Sequence, residues 1–370
     1  MSLSIGIVGL PNIGKSTLFN ALTEKAQAEA SNYPFTTIEP NVGIVTVPDP
    51  RLDRLATLVQ PAKVIPASVQ FTDIAGLVAG AHKGEGLGNQ FLAHIRETDA
   101  IAMIVRCFQD TNVTHVSGKI KPADDIRTII LELILADTET LEKLLARERK
   151  SAKTPGVEGT EAAEKVEVLE RFAEAFDRES VAAKVGLSDK EKKLLGPLPL
   201  ITLKPILFVA NVNEAEVAKP SQNVFYQEVE AYAETHGSEV VAMSAKIEAD
   251  IAGLARDEQA EFLKEVGLAE PNLNKVIRAA YALLGLQTFF TAGPQEVRAW
   301  EIPVGATAPE AAGVIHGDFQ AKFIRADVVA YGDFVTKGGE SSARDAGKLR
   351  SEGKEYVVQD GDVMHFKHGA

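Results

Sequence analysis

A phosphate-binding pattern stands near the start of the chain, where residues 9–17 read GLPNIGKST. They match G-x-x-x-x-G-K-[ST] at every required position. In such a loop, backbone N–H groups surround the phosphates, a lysine reaches the β- and γ-phosphates, and a hydroxyl ligates Mg²⁺. The helix-forming run that follows would add the positive end of its dipole. We therefore predict a nucleoside triphosphate site, with Lys15 as a catalytic candidate. The predicted phosphate-side contacts are Asn12, Ile13, Gly14, Lys15, Ser16 and Thr17.

Two further segments carry residues suited to a γ-phosphate and its metal ion. Thr36 and Thr37 lie in the polar segment 32–40, where GTPase-like folds place the loop that closes on Mg²⁺. Asp73 and Gly76 form a D-x-x-G pattern, whose aspartate anchors Mg²⁺ and whose glycine N–H reaches the γ-phosphate. Asp73 alone also fits a turn residue at a strand end. The order of these motifs favours a metal site built from Ser16, Thr37 and Asp73.

The predicted base-binding segment departs from the GTPase pattern N-K-x-D, whose aspartate accepts hydrogen bonds from guanine. The matching residues here are Asn211, Val212, Asn213 and Glu214. The lysine stem that covers the base is absent, and the Glu214 carboxylate lies one methylene further from the backbone. Because a hydrogen-bonding mismatch in a buried site discriminates strongly, we predict ATP as the preferred nucleotide. We expect the Val212 carbonyl to accept from the adenine amine and Ser244 to begin a second base-side loop.

Composition limits the function classes. A chain of 370 residues exceeds one ordinary core, so about two or three domains are expected. The formal net charge of −13 argues against broad binding to nucleic acid, so we expect no DNA partner and RNA contact only through local basic patches. Cys107 is the single cysteine, which excludes a disulfide framework. The apolar run 3–8 is too short to cross a membrane and has no basic leader, so we expect a cytoplasmic protein.

Apolar runs separated by helical segments are typical of a parallel sheet covered on both faces. The runs lie at 41–47, 68–73, 101–108, 205–211 and 239–244. Residues 125–150 and 161–184 place apolar residues at helical spacing, which predicts two long helices joined by the polar break 151–160. The pair would project as a coiled-coil-like arm. The alternative is two surface helices packed on the core.

The last part of the chain follows a predicted helix at 272–284. It contains short segments rich in β-forming residues, which predict a small mixed α/β domain with a curved sheet. These segments are 287–291, 297–302, 328–331, 356–358 and 363–366. Its histidines, at 316, 365 and 368, have no metal-ligand spacing. The predicted organisation is a nucleotide-binding domain at 1–125 and 200–282, a helical arm at 126–199 and a C-terminal domain at 283–370.

Together these motifs resemble the YchF-type Obg-like ATPases, a branch of the translation-factor GTPase class, over essentially the whole chain. The likeness rests on residues 9–17, 33–40, 73–76, 80–88 and 211–214. It implies an α/β fold: a P-loop NTPase G domain with a mostly parallel sheet, the inserted helical arm, and a C-terminal TGS domain of β-grasp, ubiquitin-like form. It also implies hydrolysis of ATP to ADP, with Mg²⁺, and association with the ribosome or its large subunit.

The predicted catalytic residues are Lys15, Gly76 and His115. Leu77 stands where many GTPases have the glutamine that orients the attacking water. Leucine cannot hydrogen-bond water, so either hydrolysis is slow or another group makes this contact. The resemblance suggests His115, and the alternative is a solvated histidine without a role. Asn12 is similar to the asparagine that lets some related GTPases hold K⁺ beside the phosphates.

Basic residues cluster at the predicted arm tip: Arg147, Arg149, Lys150 and Lys153. We predict that this tip and the C-terminal domain contact an RNA-containing assembly, the alternative being a solvated helix end. Three functions therefore remain open: a slow regulatory ATPase on the ribosome, a genuine GTPase, and a nucleotide-bound scaffold or RNA-associated protein with incidental hydrolysis. Metabolic P-loop kinases are disfavoured because D-x-x-G is not their pattern and the arginines of their lids are not evident.

Overall fold

A computed structural model describes residues 3–30, 38–39, 41–74, 87–110 and 119–369. The chain divides into two compact units. The first comprises Met1–Leu22, Glu39–Gly43 and Phe71–Leu273, and the second comprises Thr23–Ile38, Ile44–Gln70 and Asn274–Ala370. None of the helices in the described ranges is long and apolar enough to cross a membrane.

The strands and helices are numbered in chain order. The strands are β1 (Ser4–Val8), β2 (Ile38–Glu39), β3 (Val42–Thr46), β4 (Lys63–Ile65), β5 (Ser68–Asp73), β6 (Ala100–Arg106), β7 (Ile206–Asn211), β8 (Glu239–Met243), β9 (Leu286–Ala292), β10 (Glu296–Pro303), β11 (Phe323–Ala330), β12 (Arg350–Glu352) and β13 (Asp362–His368). The helices are α1 (Lys15–Ala30), α2 (Pro50–Val59), α3 (Leu87–Glu97), α4 (Pro122–Ser151), α5 (Val157–Asp177), α6 (Asp189–Leu195), α7 (Val224–His236), α8 (Ala245–Ala252), α9 (Arg256–Glu265), α10 (Asn272–Leu283), α11 (Ala308–Ile315), α12 (Gly317–Ala321), α13 (Tyr331–Lys337) and α14 (Glu340–Asp345).

A seven-stranded sheet has the order β2-β3-β5-β1-β6-β7-β8. The pairs β1–β6, β6–β7 and β7–β8 are parallel. Every residue of β1 and β6 is buried, which explains why these strands appear in the sequence as mostly apolar runs. The parallel α/β core that the sequence predicts is confirmed. Because parallel strands end at the same edge of a sheet, the loops after β1, β6, β7 and β8 lie side by side.

Helices α4 and α5 form the predicted long helical pair, and they pack against each other. Buried apolar side chains from both, including Leu141, Leu145, Leu169 and Phe172, lie in the first unit. The break between the helices is shorter than predicted, because α5 begins at Val157. Gly156 precedes it with a φ of 101°, a conformation that glycine adopts readily, and so allows the early start.

A buried carboxylate ties α4 to the segment that returns to the sheet. Asp137 accepts hydrogen bonds from the backbone N–H groups of Ile201 (2.7 Å) and Thr202 (2.8 Å) and from the Thr202 hydroxyl (2.7 Å). The Thr202 hydroxyl in turn accepts from the Ala182 N–H at 3.0 Å. Burial raises the pKa of Asp137, and these hydrogen bonds oppose that shift. The helical pair is therefore anchored by polar contacts that its apolar spacing did not reveal.

The second unit contains a six-stranded sheet with the order β12-β11-β13-β9-β10-β4. The pairs β9–β10 and β11–β13 are antiparallel, whereas β13–β9 and β10–β4 are parallel. One face packs on a core that includes Phe289, Trp300, Met364 and Phe366, together with alanines of α11. A mixed sheet with a helix on one face matches the predicted β-grasp form.

This sheet differs from the sequence prediction in three details, the first of which is that β12 (Arg350–Glu352) was not predicted. Residues 356–358 do not form a strand, and Val357 makes only an isolated bridge with Thr307. The Tyr356 hydroxyl instead donates to the Asp362 carboxylate at 2.6 Å, so a side-chain hydrogen bond attaches this segment to the start of β13. The edge beside β10 is filled by β4, a short strand from far earlier in the chain that the sequence analysis did not predict.

A charged contact connects residues 44–70 with the rest of the second unit. The Arg51 guanidinium donates to Asp360 at 2.6 Å and lies 5.3 Å from the centre of the Phe290 ring. The same Asp360 carboxylate accepts from the Thr288 N–H at 3.0 Å. One carboxylate therefore joins α2 to β9 and to the turn before β13.

Candidate nucleotide-binding site

The predicted phosphate loop connects the buried strand β1 to helix α1. Gly14 has a φ of 94°, a left-handed conformation that favours glycine. A Cβ at Gly14 would also clash with the side-chain amide of Asn211, and one at Gly9 would clash with Ile13 and lie 3.0 Å from the carbonyl oxygen of Ile104. Both glycines are therefore required by close packing behind the loop. Helix α1 starts immediately, with the Leu18 N–H donating to the Gly14 carbonyl at 2.9 Å.

The phosphate side of the site is a cavity of about 710 Å³ in the first unit. Its lining brings the loop together with the D-x-x-G aspartate: Leu10, Pro11, Asn12, Gly14, Lys15, Ser16, Thr17, Asn41, Asp73 and His94. The Lys15 ammonium forms an ion pair with the Asp73 carboxylate, and their side chains are only 11% and 18% exposed. The Asp73 N–H donates to the carbonyl of Asn41 at 2.8 Å, which fixes the end of β5 beside the loop.

The base side is a second cavity, of about 560 Å³, that shares Asn12, Gly14 and Thr17 with the first. Its lining brings the predicted base-side residues to the phosphate loop: Asn12, Gly14, Thr17, Phe108, Asp110, Asn211, Val212, Asn213, Glu214, Ser244, Ala245, Lys246 and Ala249. The structure therefore places Asn211, Val212, Glu214 and Ser244 in one cleft, although they belong to loops far apart in the sequence.

Asn211, at the end of β7, holds these loops together. Its side-chain amide donates to the Ile13 carbonyl at 2.9 Å, and its side-chain oxygen accepts from the Ala245 N–H at 3.0 Å. The Asn211 carbonyl accepts from the Cys107 N–H at 2.8 Å. The residue is 5% exposed, so these hydrogen bonds are shielded from water. One side chain therefore sets the spacing between the phosphate loop and the base-side loop.

The other base-side residues differ in their exposure and in their hydrogen-bond and ion-pair partners. The Val212 side chain is 2% exposed, and its N–H donates to the Met243 carbonyl at 2.8 Å. Glu214 is more exposed and forms a 2.7 Å ion pair with Lys246. The hydrogen bond to Glu214 raises the pKa of Lys246. The carboxylate that would have to recognise guanine is therefore already paired with a cation.

Sequence reasoning missed two residues at the site. Arg106 is buried at the end of β6; it donates to the carbonyls of Phe108 (3.1 Å) and Asp110 (3.2 Å), and its guanidinium lies 4.6 Å from the centre of the Phe108 ring. Burial lowers its pKa. Arg106 thereby shapes the wall of the base-side cavity, and a lone arginine in the apolar run 101–108 was its signal. His94 lines the phosphate-side cavity from α3.

Five of the residues that the sequence analysis named lie outside the described ranges. They are Thr36, Thr37, Gly76, Leu77 and His115. The segment that carries His115 follows Asp110, whose carbonyl accepts from Arg106.

Family models match both ends of the chain. The model described as "50S ribosome-binding GTPase" matches residues 4–136. The model named YchF-GTPase_C, described as "Protein of unknown function (DUF933)", matches residues 286–369. The first match contains the phosphate loop, and the second contains strands β9 to β13 of the six-stranded sheet.

Full-length relatives show the same similarity along the whole chain. The "Ribosome-binding ATPase YchF" of Bacillus subtilis (strain 168) is 56% identical over 367 residues, and that of Escherichia coli O157:H7 is 54% identical over 366 residues. Each comparison covers 99% of both chains. The solved structure of the Schizosaccharomyces pombe YchF GTPase superposes with a TM-score of 0.89 at 35% identity, covering 99% of this chain and 98% of that one. These similarities confirm the fold class that the sequence predicts.

The contacts of Asn211 predict that Asn211→Ala weakens nucleotide binding by at least about tenfold, or about 1.4 kcal/mol, because the two loops lose their common hydrogen-bond partner. Titration with a fluorescent nucleotide measures this change.

Asn223→Ala is the matched control. Asn223 is also a buried asparagine, donating to Cys107 and accepting from Tyr226, but it lines neither nucleotide cavity. Both variants should melt at lower temperature, whereas only Asn211→Ala should lose affinity. Equal affinity losses in both would show that Asn211 acts through stability alone.

Proposed function

This chain belongs to the YchF family of P-loop nucleoside triphosphatases, and we propose that it is a slow regulatory ATPase that prefers ATP to GTP and associates with the ribosome. The observation that carries the nucleotide preference is the Glu214–Lys246 ion pair in the base-side cavity. The ribosome association draws on the full-length relatives, whose names describe ribosome-binding ATPases. A genuine GTPase is the second candidate, since the similar protein of Schizosaccharomyces pombe is named a YchF GTPase.

The choice between adenine and guanine depends on which hydrogen-bond acceptors the cleft presents to the edge of the base. Guanine presents N1–H and an amino group, which require a carboxylate that is free to accept both. Glu214 is committed to Lys246 at 2.7 Å, and its side chain and that of Lys246 are 46% and 70% exposed, so guanine would compete with both this cation and water. Adenine needs only an acceptor for its amino group, and we assign that role to the Val212 carbonyl.

The phosphate side offers groups that suit a nucleotide with Mg²⁺. The hydroxyl of Ser16 and the carboxylate of Asp73 line the same cavity, and hard oxygen donors are what Mg²⁺ prefers. We propose that they hold the ion, together with Thr37, and that it neutralises phosphate charge when bound. Lys15 would exchange its ion pair with Asp73 for the β- and γ-phosphates. Asn12, with a φ of 62° in the loop, is the residue that we assign to K⁺.

Turnover requires a group to orient water near the γ-phosphate. We assign this role to His115, supported by the Gly76 N–H, because Leu77 has no polar atom on its side chain. Arg106 serves as a positioning residue, since it fixes the two carbonyls at the start of the segment that leads to His115.

Ribosome contact is assigned to the helical arm at 126–199 and to the C-terminal domain at 283–370, which leaves 1–125 and 200–282 as the nucleotide-binding domain. At the arm tip, Arg147 pairs with Glu148 and Arg149 pairs with Glu170, both at 2.8 Å. Lys150 and Lys153 are exposed beside them. A protein that works on ribosomes acts in the cytoplasm, which is the location that we propose.

Equilibrium titration with ATP and GTP tests the nucleotide preference directly. We expect ATP to bind more tightly, and Lys246→Ala to narrow the difference because the Glu214 carboxylate becomes free to accept from guanine. An exposed ion pair contributes up to about 1 kcal/mol, so the change should be roughly fivefold or less. Lys219→Ala, an exposed lysine outside the cleft, is the control and should leave both affinities unchanged. GTP binding that equals or exceeds ATP binding in the parental protein would favour the GTPase.

Single-turnover hydrolysis tests the catalytic assignment. The parental rate should be well below the roughly 1–100 s⁻¹ of protein kinases. His115→Ala should slow hydrolysis further with ATP affinity nearly unchanged, as expected for a group used only in the transition state. His94→Ala is the matched control, because His94 lines the phosphate-side cavity. Slower turnover in His94→Ala but not in His115→Ala would transfer the role to His94. Lys15→Ala should abolish nucleotide binding.

Co-sedimentation with ribosomes in ATP, in ADP and without nucleotide tests the partner. Replacing Arg147, Arg149, Lys150 and Lys153 by Ala should reduce co-sedimentation and its salt dependence, with ATP hydrolysis by the free protein unchanged. The control replaces Lys184, Lys190, Lys192 and Lys193 by Ala, which removes the same charge from another part of the arm. Absence of co-sedimentation by the parental protein in all three conditions would refute the ribosome association. Loss in both variants alike would mean that the tip has no special role.

A further inference from the structure

Helix α3 lies between the phosphate-side cavity and a lysine that precedes strand β7. His94 lines the cavity from this helix. The carbonyls of Ile95 and Arg96, the next two residues, accept from the Lys204 ammonium at 2.7 and 2.8 Å. The same ammonium donates to the carbonyl of Thr98, just beyond the end of the helix. Lys204 therefore holds the carboxyl end of α3 within about one helical turn of the cavity wall.

The ammonium of Lys204 suits this position chemically. The last carbonyls of a helix have no partner within the helix, and a cation near them interacts favourably with the helix dipole. An ammonium has three N–H donors, and each of the three carbonyls can accept from one of them. Burial lowers the pKa of Lys204, whereas the nearby charges of Asp99 and Asp137 raise it. Loss of the ammonium would remove a cation that three carbonyls share and would loosen the end of α3.

The turn that follows α3 is also attached to β1, the strand that leads into the phosphate loop. The Asp99 N–H donates to the Ser4 carbonyl at 2.8 Å, and the Asp99 carboxylate accepts from the Ser4 N–H at 2.8 Å. A Cβ at Gly6 would lie 3.1 Å from the Thr98 hydroxyl, so the turn packs closely on this strand. The end of α3 is therefore held against the strand that carries the phosphate loop.

The same lysine lies close in the chain to the segment that anchors the helical arm. Asp137 of α4 accepts from the Ile201 N–H at 2.7 Å, and the Ile201 carbonyl accepts from the Lys204 N–H at 3.0 Å. A second contact joins the two helices directly, since the Arg96 guanidinium of α3 donates to the Thr140 hydroxyl of α4 at 3.3 Å. A short series of polar contacts therefore connects the cavity wall with the base of the arm.

We propose that Lys204 is a positioning residue for nucleotide hydrolysis, which fixes α3 beside the phosphate-side cavity and transmits a displacement of α3 to the base of the helical arm. This role rests on the proposed ATPase activity, in which Lys15 and Asp73 exchange partners when the nucleotide binds. A displacement of α3 that follows this exchange moves the carbonyls bound to Lys204, and with them the turn that Asp137 holds. A partner bound to the arm would act on the same contacts in the opposite direction, because coupling between two sites is reciprocal.

Lys204→Met in the full chain tests the positioning role, because methionine keeps most of the apolar stem and removes the three donors. Single-turnover ATP hydrolysis should be at least about fivefold slower, with ATP affinity within about twofold of the parental value, since Lys204 lines neither nucleotide cavity. Lys204→Gln retains one donor group and should give an intermediate rate. Arg171→Met is the matched control, because Arg171 is also a cation that donates to a backbone carbonyl, that of Gly186 within the arm. It should hydrolyse ATP at the parental rate.

Hydrogen–deuterium exchange at the Ile201 and Thr202 amides, both of which donate to Asp137, tests the transmission to the arm. In the parental protein their exchange rates should differ by at least about threefold between a saturating non-hydrolysable ATP analogue and saturating ADP, because the two ligands place α3 differently. Lys204→Met should abolish this difference. Arg171→Met should retain it.

The two measurements separate the positioning role from the proposed function. A parental hydrolysis rate in folded Lys204→Met, or an equal loss in Arg171→Met, overturns the positioning role. Equal exchange with both nucleotides in the parental protein, or a difference that survives in Lys204→Met, overturns the transmission. If Lys204→Met does not fold, as judged by its melting temperature, Lys204→Gln takes its place. Failure of the parental protein to bind or hydrolyse ATP refutes the proposed function as well, whereas a parental protein that hydrolyses ATP without these differences refutes only the role of Lys204.

Discussion

The nucleotide site depends on the two side-chain hydrogen bonds of Asn211. They connect the Ile13 carbonyl in the phosphate loop with the Ala245 N–H in the base-side loop, across the carboxyl edge of the parallel sheet. The amide also occupies the space behind Gly14, where a Cβ would clash with it. Because interior packing leaves little room for relaxation, this contact fixes both the conformation of the phosphate loop and its distance from the base-side loop. The Glu214–Lys246 pair and the carbonyl of Asp110 that Arg106 holds belong to the cavity between these loops.

Charge compensation organises the rest of the cleft. Lys15 and Asp73 form an ion pair in a largely buried position. In the function that we propose, a nucleotide would offer its phosphates to the ammonium, and Mg²⁺ would be held in part by the carboxylate. Removing one partner of such a pair leaves an uncompensated charge, so substitutions at either residue affect the free protein as well as the complex.

In each unit a carboxylate joins segments that are distant in the sequence. In the first unit, the Asp137 carboxylate is used fully by backbone and hydroxyl donors, and it holds the helical arm to the segment that returns to the sheet. In the second unit, the Asp360 carboxylate joins Arg51 to Thr288.

The sequence alone determined the features that depend on residues close together in the chain. The phosphate loop at 9–17 is recognisable because its spacing is local, and the buried strands of the parallel sheet are recognisable because burial on both faces makes most of their residues apolar. The helical pair followed from periodicity, although its turn was placed too broadly because the conformation of Gly156 cannot be read from spacing. Only the tertiary structure decided which partners meet across long separations: Asp137 with Thr202, Glu214 with Lys246, and β4 with β10. The sequence does not indicate which residue a charged side chain will contact, because that contact depends on how the helices and strands that carry the two residues pack together.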